Sequence, residues 1–290
     1  MLPVSSGRRA GKRVRFGAVK LTNGWEIVQG AAGKLAVYVS RPAAANEPLP
    51  GVLVLQEVWG VDEHITDVAD RIAAAGYVAL SPDVYSVGGD RPDAITASRV
   101  DTLKAFFDTM PIGAWQDADL RNAELAKLPD ADAAAINETM TALFSQFANM
   151  ESFITELRAM TSWLAAQAFC DGTHIGAIGF CMGGGMAARL ACDEPLLGAA
   201  VGFYGAAPTA DQVATLHCPV LGLHGEQDER LVKSIAGFQE AADAHGKSYE
   251  AIVYPDAPHA FFNDTRASYR PHAARPAWVR TLAFLDGHLK

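Results

Sequence analysis

The sequence predicts an α/β protein, a mainly parallel sheet with helices on both faces, and three observations carry that prediction. Strand-like and helix-like patterns alternate from Trp25 to the C-terminus, as a parallel sheet with crossover helices requires. Residues 52–58 (VLVLQEV) form a near-continuous apolar run, the signature of a strand buried on both faces. Directly after it, Ile65, Val68, Ala69 and Ile72 recur at helical spacing and give a helix one apolar face.

In chain order, the first twenty residues stand apart. Arg8, Arg9, Lys12, Arg13, Arg15 and Lys20 are basic, and no acid precedes Glu26. A secretory signal needs an apolar run of about 7–15 residues, and 16–19 is too short. Residues 1–24 therefore read as a basic tail or a first edge strand rather than a targeting or RNA-contacting arm, and 25–290 as a single domain. Residues 34–40 (KLAVYVS) alternate and are β-branched, hence a strand. The helix after 52–58 takes Asp62 as N-cap and ends at Gly76; 77–80 is the next strand, stopped by Pro82. Residues 175–180, 199–204, 220–224 and 251–254 are further short strands, and 182–192, 231–245 and 276–289 are helices. One segment, about 96–167, carries helical patterns only, including Ile136, Met140, Leu143, Phe144 and Phe147. Two long helices joined near 128–132 fit it, either as an insert over the sheet's edge or as extra cover for one face.

Composition narrows the function. Half of the 290 residues are apolar and a fifth are charged, an ordinary globular balance. The formal net charge of −9 argues against a general nucleic-acid binder. No stretch reaches the roughly 18–20 apolar residues of a membrane-spanning helix. Cys170, Cys181, Cys192 and Cys218 contain no CxxC pair, so neither a disulfide scaffold nor a zinc ribbon is expected. The reading is a reduced, cytoplasmic, soluble protein, with no metal expected because no His or carboxylate cluster has ligand spacing.

The strongest chemical signal is Gly179-Phe180-Cys181-Met182-Gly183 between a strand and a helix. This is a nucleophile elbow, with Cys in place of the more usual Ser. A sharp turn holds the nucleophile in a strained conformation, and side chains two residues before or after it would collide. The turn sets the Cys181 sulfur at the positive end of a helix, which favours negative charge, and aims the Met182 amide at a developing oxyanion. The alternatives are an inert core cysteine and a dinucleotide loop, since residues 183–188 (GGGMAA) fit G-x-G-x-x-A. Against the loop, its glycines begin after the turn, and no acid stands about 20 residues on to hold a ribose.

Such a nucleophile is followed in the chain by an acid and then a histidine. Among eight histidines, His259 lies in a late loop before the final helix, where the base belongs. His224 ends a strand and suits a local turn contact; His64, His217, His245, His272 and His288 read as solvated. Asp228 follows the strand 220–224 and is the expected acid, with Glu226 as rival; Asp256 is too near His259 in sequence. The segment Gln56-Glu57-Val58-Trp59-Gly60 ends an early strand, so the Val58 amide is a second oxyanion donor and Glu57 faces the site, unless Glu57 is a solvated strand-end acid.

Together these residues resemble the dienelactone hydrolase (carboxymethylenebutenolidase) family of the α/β-hydrolase fold. Five blocks carry the resemblance in order: 56–60, 76–85 (GYVALSPDVY), 179–184 (GFCMGG), 224–228 (HGEQD) and 259–261 (HAF). It implies a Cys181–His259–Asp228 triad, a Glu57 that contacts the resting cysteine and helps remove its proton, an oxyanion hole of Val58 and Met182, and Tyr85 near substrate. It further implies no cofactor and, as substrate, a small ester or cyclic enol-lactone from aromatic ring degradation. Family members that bind dienelactone hold its carboxylate with two arginines; here Val87 and Asn263 occupy the nearest positions, and Arg91 and Arg266 close by are either substitutes or surface arginines. No nucleic-acid or membrane partner is expected, and the chain reads as a monomer or weak homo-oligomer.

The readings that compete are a general carboxylesterase or thioesterase and, in another class, a catalytically silent binding module; the complete Cys, His, Asp and Glu set argues against the latter. A thiol-redox role lacks a resolving partner, because Cys192 lies about three helical turns beyond Cys181.

Overall fold

Eight strands form one sheet in the order β1-β2-β4-β3-β5-β6-β7-β8 in a computed structural model that describes residues 19–111 and 117–290. The strands are β1 (Leu21–Gln29), β2 (Lys34–Pro42), β3 (Leu49–Leu55), β4 (Val78–Pro82), β5 (Cys170–Phe180), β6 (Leu197–Phe203), β7 (Val220–Gly225) and β8 (Tyr249–Tyr254). From β4 to β8 all pairings are parallel, while β1 and β2 form an antiparallel hairpin at one edge. Strand β1 starts inside the stretch read as a tail, so the domain reaches back to Leu21. The basic residues Arg8 to Arg15 lie outside the described residues.

Strand β3 sits at the centre, and its apolar run explains why. Val52, Leu53, Val54 and Leu55 are all fully buried, each contributing about 1.5–3 kcal/mol of apolar burial. Leu53 and Leu55 face one core, Val52 and Val54 the other. The second core is closed by α1 (Glu63–Ala74) and α9 (Pro271–Leu289). Helix α1 begins as its sequence dictates, with Asp62 accepting from the Ile65 amide at 3.2 Å and with Ile65, Val68, Ala69 and Ile72 buried.

The first core is covered by α2 (Ala97–Phe107), α4 (Asp130–Ser145), α5 (Met150–Ala165), α6 (Met182–Asp193) and α8 (Glu229–Ala244). Two shorter helices, α3 (Ala118–Leu125) and α7 (Ala210–Val213), complete the described helices. Among the described residues the segment 96–167 thus holds four helices rather than two, and a 3₁₀ turn at Gln146–Asn149 separates α4 from α5. It covers one face: Val100, Leu103, Ile136, Met140 and Leu143 join the first core, while Phe147 stays exposed. No helix among the described residues is long and apolar enough to cross a membrane.

The chain leaves β3 for β4 on one side and returns to β5 on the other. The carboxyl ends of β3 and β5 therefore bound the crevice in which open α/β sheets place their ligands.

Candidate active site

Cys181 occupies the turn from β5 into α6 with φ 53° and ψ −114°, a left-handed conformation that costs a non-glycine residue on the order of 1–3 kcal/mol. The strain is held by bonds on both sides: the Cys181 amide donates to the Phe203 carbonyl at 3.0 Å, and the Gly184 amide donates to the Cys181 carbonyl at 3.0 Å. The flanking glycines are steric necessities. A Cβ on Gly179 would overlap the Gly183 carbonyl, and a Cβ on Gly183 would fall on the carbonyls of Leu55 and Gln56. A Cβ on Gly184 would lie 2.7 Å from the Phe203 carbonyl. The glycine run thus lets α6 pack against the ends of β3 and β6.

His259 follows β8, and Asp228 is the N-cap residue of α8 just beyond β7. His259 Nδ1 lies 2.5 Å from Asp228 Oδ2. With Nδ1–H donating to the carboxylate, the tautomer leaves Nε2 for chemistry. Burial pushes the His259 imidazole down. The Cys181 charge, with hydrogen bonds that the ring donates to Asp228 and Cys181, overrides it and raises the imidazole to about 10. Burial raises Asp228, but its bond to His259 and the charge of that ring hold it below the ordinary carboxylate range. The rival Glu226 is exposed and accepts from the Asp256 amide at 3.1 Å.

Two other histidines differ from their sequence reading. His224 is buried with neither ring nitrogen hydrogen-bonded, and burial lowers it to about 4. His64 is not solvated: its ring is buried against Phe180 and Phe262, and Nδ1 stands 3.8 Å from Asp264, beyond hydrogen-bond range.

Glu57 is 2 % exposed and has a donor on each oxygen. The Tyr204 hydroxyl donates to Oε1 at 3.1 Å and the Asn263 amide to Oε2 at 2.9 Å. Among the described residues the Glu57 carboxylate bonds to these two groups and not to the Cys181 sulfur, the contact that the family resemblance implies. Neither Tyr204 nor Asn263 was legible as a partner of Glu57. The available signal was an aromatic hydroxyl at the carboxyl end of β6, next to β5. Tyr204 carries φ 38° and Ala260, next to His259, φ 58°; with Cys181, three of the four non-glycine positive φ values among the described residues fall at this site. Burial, with Glu57 and Cys181 adding to it, pushes the Tyr204 phenol well above its ordinary range, so it stays a donor.

The expected oxyanion donors are the Met182 and Val58 amides. The Met182 amide opens α6, where no intrahelical partner exists. The Val58 amide belongs to a tight turn closed by the Gly60 amide on the Glu57 carbonyl at 3.3 Å, with Gly60 at φ 85°. Tyr85 is buried beneath this turn; its hydroxyl donates to the Val58 carbonyl at 3.0 Å and lies 3.7 Å from Met182 Sδ.

The two arginines are held in different ways. Arg91 is engaged inside the protein through each of its three guanidinium nitrogens. Nε donates to Asp83 Oδ2 at 2.6 Å, Nη1 to the Trp59 carbonyl at 3.4 Å and Nη2 to the Val61 carbonyl at 3.1 Å. Arg266 lies over the Trp59 ring, with Cζ 5.4 Å from its centroid, and pairs with Asp108 at 3.0 Å just beyond α2. Its Nη1 is buried without a hydrogen-bond partner.

A model of the dienelactone hydrolase family matches residues 35–289. A protein of Escherichia coli K12 named "Putative carboxymethylenebutenolidase" is 32 % identical over 271 residues, covering 89 % of this chain and 84 % of that one. A Bradyrhizobium protein named "Probable 2-oxo-3-(5-oxofuran-2-ylidene)propanoate lactonase" is 31 % identical over 264 residues, covering 87 % of this chain and 89 % of that one. A solved structure from Klebsiella pneumoniae, described as "Putative Dienelactone Hydrolase", superposes with TM-score 0.68 at 28 % identity, covering 93 % of this chain and 100 % of that one. With the elbow, the late histidine and the acid all inside the matched span, the chain belongs to the dienelactone hydrolase family.

Proposed function

We propose that the protein hydrolyses an activated ester or enol-lactone through a thioester on Cys181. The observation that carries this reading is the Asp228–His259 pair beside a cysteine on a strained strand-to-helix turn. Cys181 attacks the ester carbonyl as thiolate, its proton resting on His259. The oxyanion sits between the Met182 and Val58 amides. Collapse breaks the acyl C–O bond, and the proton of His259 passes to the leaving oxygen, or to solvent when an enolate or aryloxide departs as the anion, so the imidazole is neutral again. His259, oriented by Asp228, then removes a proton from water; the hydroxide adds to the thioester carbonyl and Cys181 departs as thiolate.

The nucleophile selects the substrate class. A thiolate leaves a tetrahedral intermediate more readily than an ordinary alkoxide, so simple esters revert. An enolate or aryloxide departs readily, and collapse runs forward. The Bradyrhizobium relative is named for a lactone of this kind, with its ring oxygen on an enol carbon. In this reading Glu57, held by Tyr204 and Asn263, manages the proton of the resting thiol, and the unpartnered Nη1 of Arg266 offers a donor to an anionic or carbonyl group of the substrate. Four free cysteines, three of them buried, suit a reducing compartment and a cytoplasmic protein.

Cys181→Ala tests the proposal. Hydrolysis of p-nitrophenyl acetate and of a dienelactone is expected to vanish while the circular dichroism spectrum stays unchanged. Turnover near the wild-type rate in this variant sinks the cysteine mechanism. A wild type that cleaves aryl esters and leaves dienelactones untouched turns the reading to a general esterase.

A further inference from the structure

We infer that Arg91 is a positioning residue for the oxyanion hole, clamping the 58–61 turn so that the Val58 amide faces the Cys181 sulfur. The inference rests on the proposed reading of Val58 as an oxyanion donor and deepens it.

The geometry is a set of carbonyls all held from behind. Val58 O accepts from the Tyr85 hydroxyl at 3.0 Å, Trp59 O from Arg91 Nη1 at 3.4 Å and Val61 O from Arg91 Nη2 at 3.1 Å. All three donors come from the segment after β4, none from the elbow. The Trp59 carbonyl shares its peptide plane with the Gly60 amide, that amide donates to the Glu57 carbonyl at 3.3 Å, and the Glu57 carbonyl shares its plane with the Val58 amide, so holding the first fixes the direction of the last. The guanidinium is itself fixed. Asp83 Oδ2 accepts from Arg91 Nε at 2.6 Å, while Asp83 Oδ1 accepts from the Tyr85 amide at 3.2 Å. One carboxylate therefore anchors the guanidinium of Arg91 and the backbone of Tyr85.

The fit is tight. Arg91 is 11 % exposed and Asp83 6 % at their side chains, and a Cβ on Gly60 would collide with the guanidinium. Gly60 is thus demanded twice, by φ 85° and by the arginine plane lying on its Cα. A planar fork spans two carbonyls and a carboxylate at once; a lysine ammonium is a point charge and cannot. Three of the five guanidinium N–H donors are thereby engaged inside the protein, one on each nitrogen.

The test uses Arg91→Lys, which keeps the charge beside Asp83, and Arg91→Met as a harsher variant. Three readings are taken: kcat and KM with p-nitrophenyl acetate, the rate of Cys181 alkylation by iodoacetamide, and backbone hydrogen exchange in a peptide covering 56–61. Alkylation develops no oxyanion, so it separates loss of the hole from loss of the nucleophile. The expected result for Arg91→Lys is a tenfold to hundredfold fall in kcat, KM within about threefold, unchanged alkylation and faster exchange at 56–61. A KM that rises alone would return Arg91 to the substrate-binding role and overturn the inference. Wild-type kcat in Arg91→Lys, alkylation falling in step with kcat, or exchange left unchanged would each overturn it as well. A wild type with no esterase activity would sink the proposed function, and the exchange comparison would still decide whether Arg91 holds the turn.

Discussion

Asn263 donates its amide to Glu57 Oε2 at 2.9 Å, and its own oxygen accepts from the Thr265 hydroxyl at 2.7 Å and the Thr265 amide at 3.1 Å. The amide orientation is therefore set by its partners. A buried carboxylate is held by two neutral donors, Asn263 and Tyr204, so no cation has to leave before Glu57 can turn toward the thiol.

Asn263→Asp tests that arrangement. The new carboxylate keeps its contacts to Thr265 and sets an acceptor against Glu57, so the pair must share a proton. A carboxyl whose folded pKa is raised stabilises at low pH, and that stability is lost as pH rises through the raised value. The variant should be less stable than wild type by about 3 kcal/mol at pH 8, with the gap narrowing toward pH 5. Urea unfolding at the two pH values measures it; equal stability at pH 8 refutes the contact.

His224 supplies an acid-side prediction. Its ring sits in the core at about 4, against 6.5 in the unfolded chain, mainly because burial penalises the charge. Below pH 6.5 the unfolded chain takes up a proton that the folded protein refuses until about pH 4. Stability falls across that window, by about 2 kcal/mol at pH 5 and about 3 kcal/mol at pH 4 from this ring alone. His224→Gln does not titrate, so its unfolding free energy should decline correspondingly less between pH 7 and pH 4. Parallel curves for the two proteins would show that the ring is protonated in the folded state.

For His259 the window is alkaline. Its folded value of about 10 exceeds the ordinary 6.5, so its contribution to stability is fully present below pH 6.5 and is lost as pH rises through about 10. Burial opposes the charge, and Cys181 leads the groups that restore it. Cys181→Ala should therefore drop the His259 titration by at least about one pH unit, read from its ring proton shifts by NMR. An unmoved titration would mean that Asp228 alone sets the ring.

The features legible in advance were those with local causes. The apolar run at Val52 to Leu55, the Asp62 cap and the glycines around Cys181 each answer to neighbours a few residues away. Glu57's partners lie 147 and 206 positions distant, and no periodicity reports a hydrogen bond of that span. Arg91 was visible as a charge, but its direction depends on carbonyls 30 and 32 positions back. Strand β1 was ambiguous because it lies at the sheet edge, where Trp25 and Ile27 stay exposed and only Val28 is buried. The α4–α5 break was hidden because helical spacing runs through the 3₁₀ turn.

The glycine run of the elbow yields the sharpest contrast. Gly183 and Gly185 both stand in the first turn of α6, and composition alone cannot rank them. A Cβ on Gly183 lands on the Leu55 and Gln56 carbonyls, which belong to the end of β3 and cannot move without carrying Glu57 and Val58 with them. Gly183→Ala should cost at least about 2 kcal/mol and, by shifting the Val58 amide relative to the sulfur, about a hundredfold in kcat. A Cβ on Gly185 would come no nearer than 3.5 Å to its closest neighbour, the Ala206 carbonyl oxygen, an ordinary contact. Gly185→Ala should therefore keep activity within about twofold and raise stability by about 0.5–1 kcal/mol, since alanine loses less backbone entropy in a helix. Thermal unfolding and esterase assays on the pair decide it: comparable damage in both variants, or in neither, would mean that α6 does not pack against β3 as closely as the elbow requires.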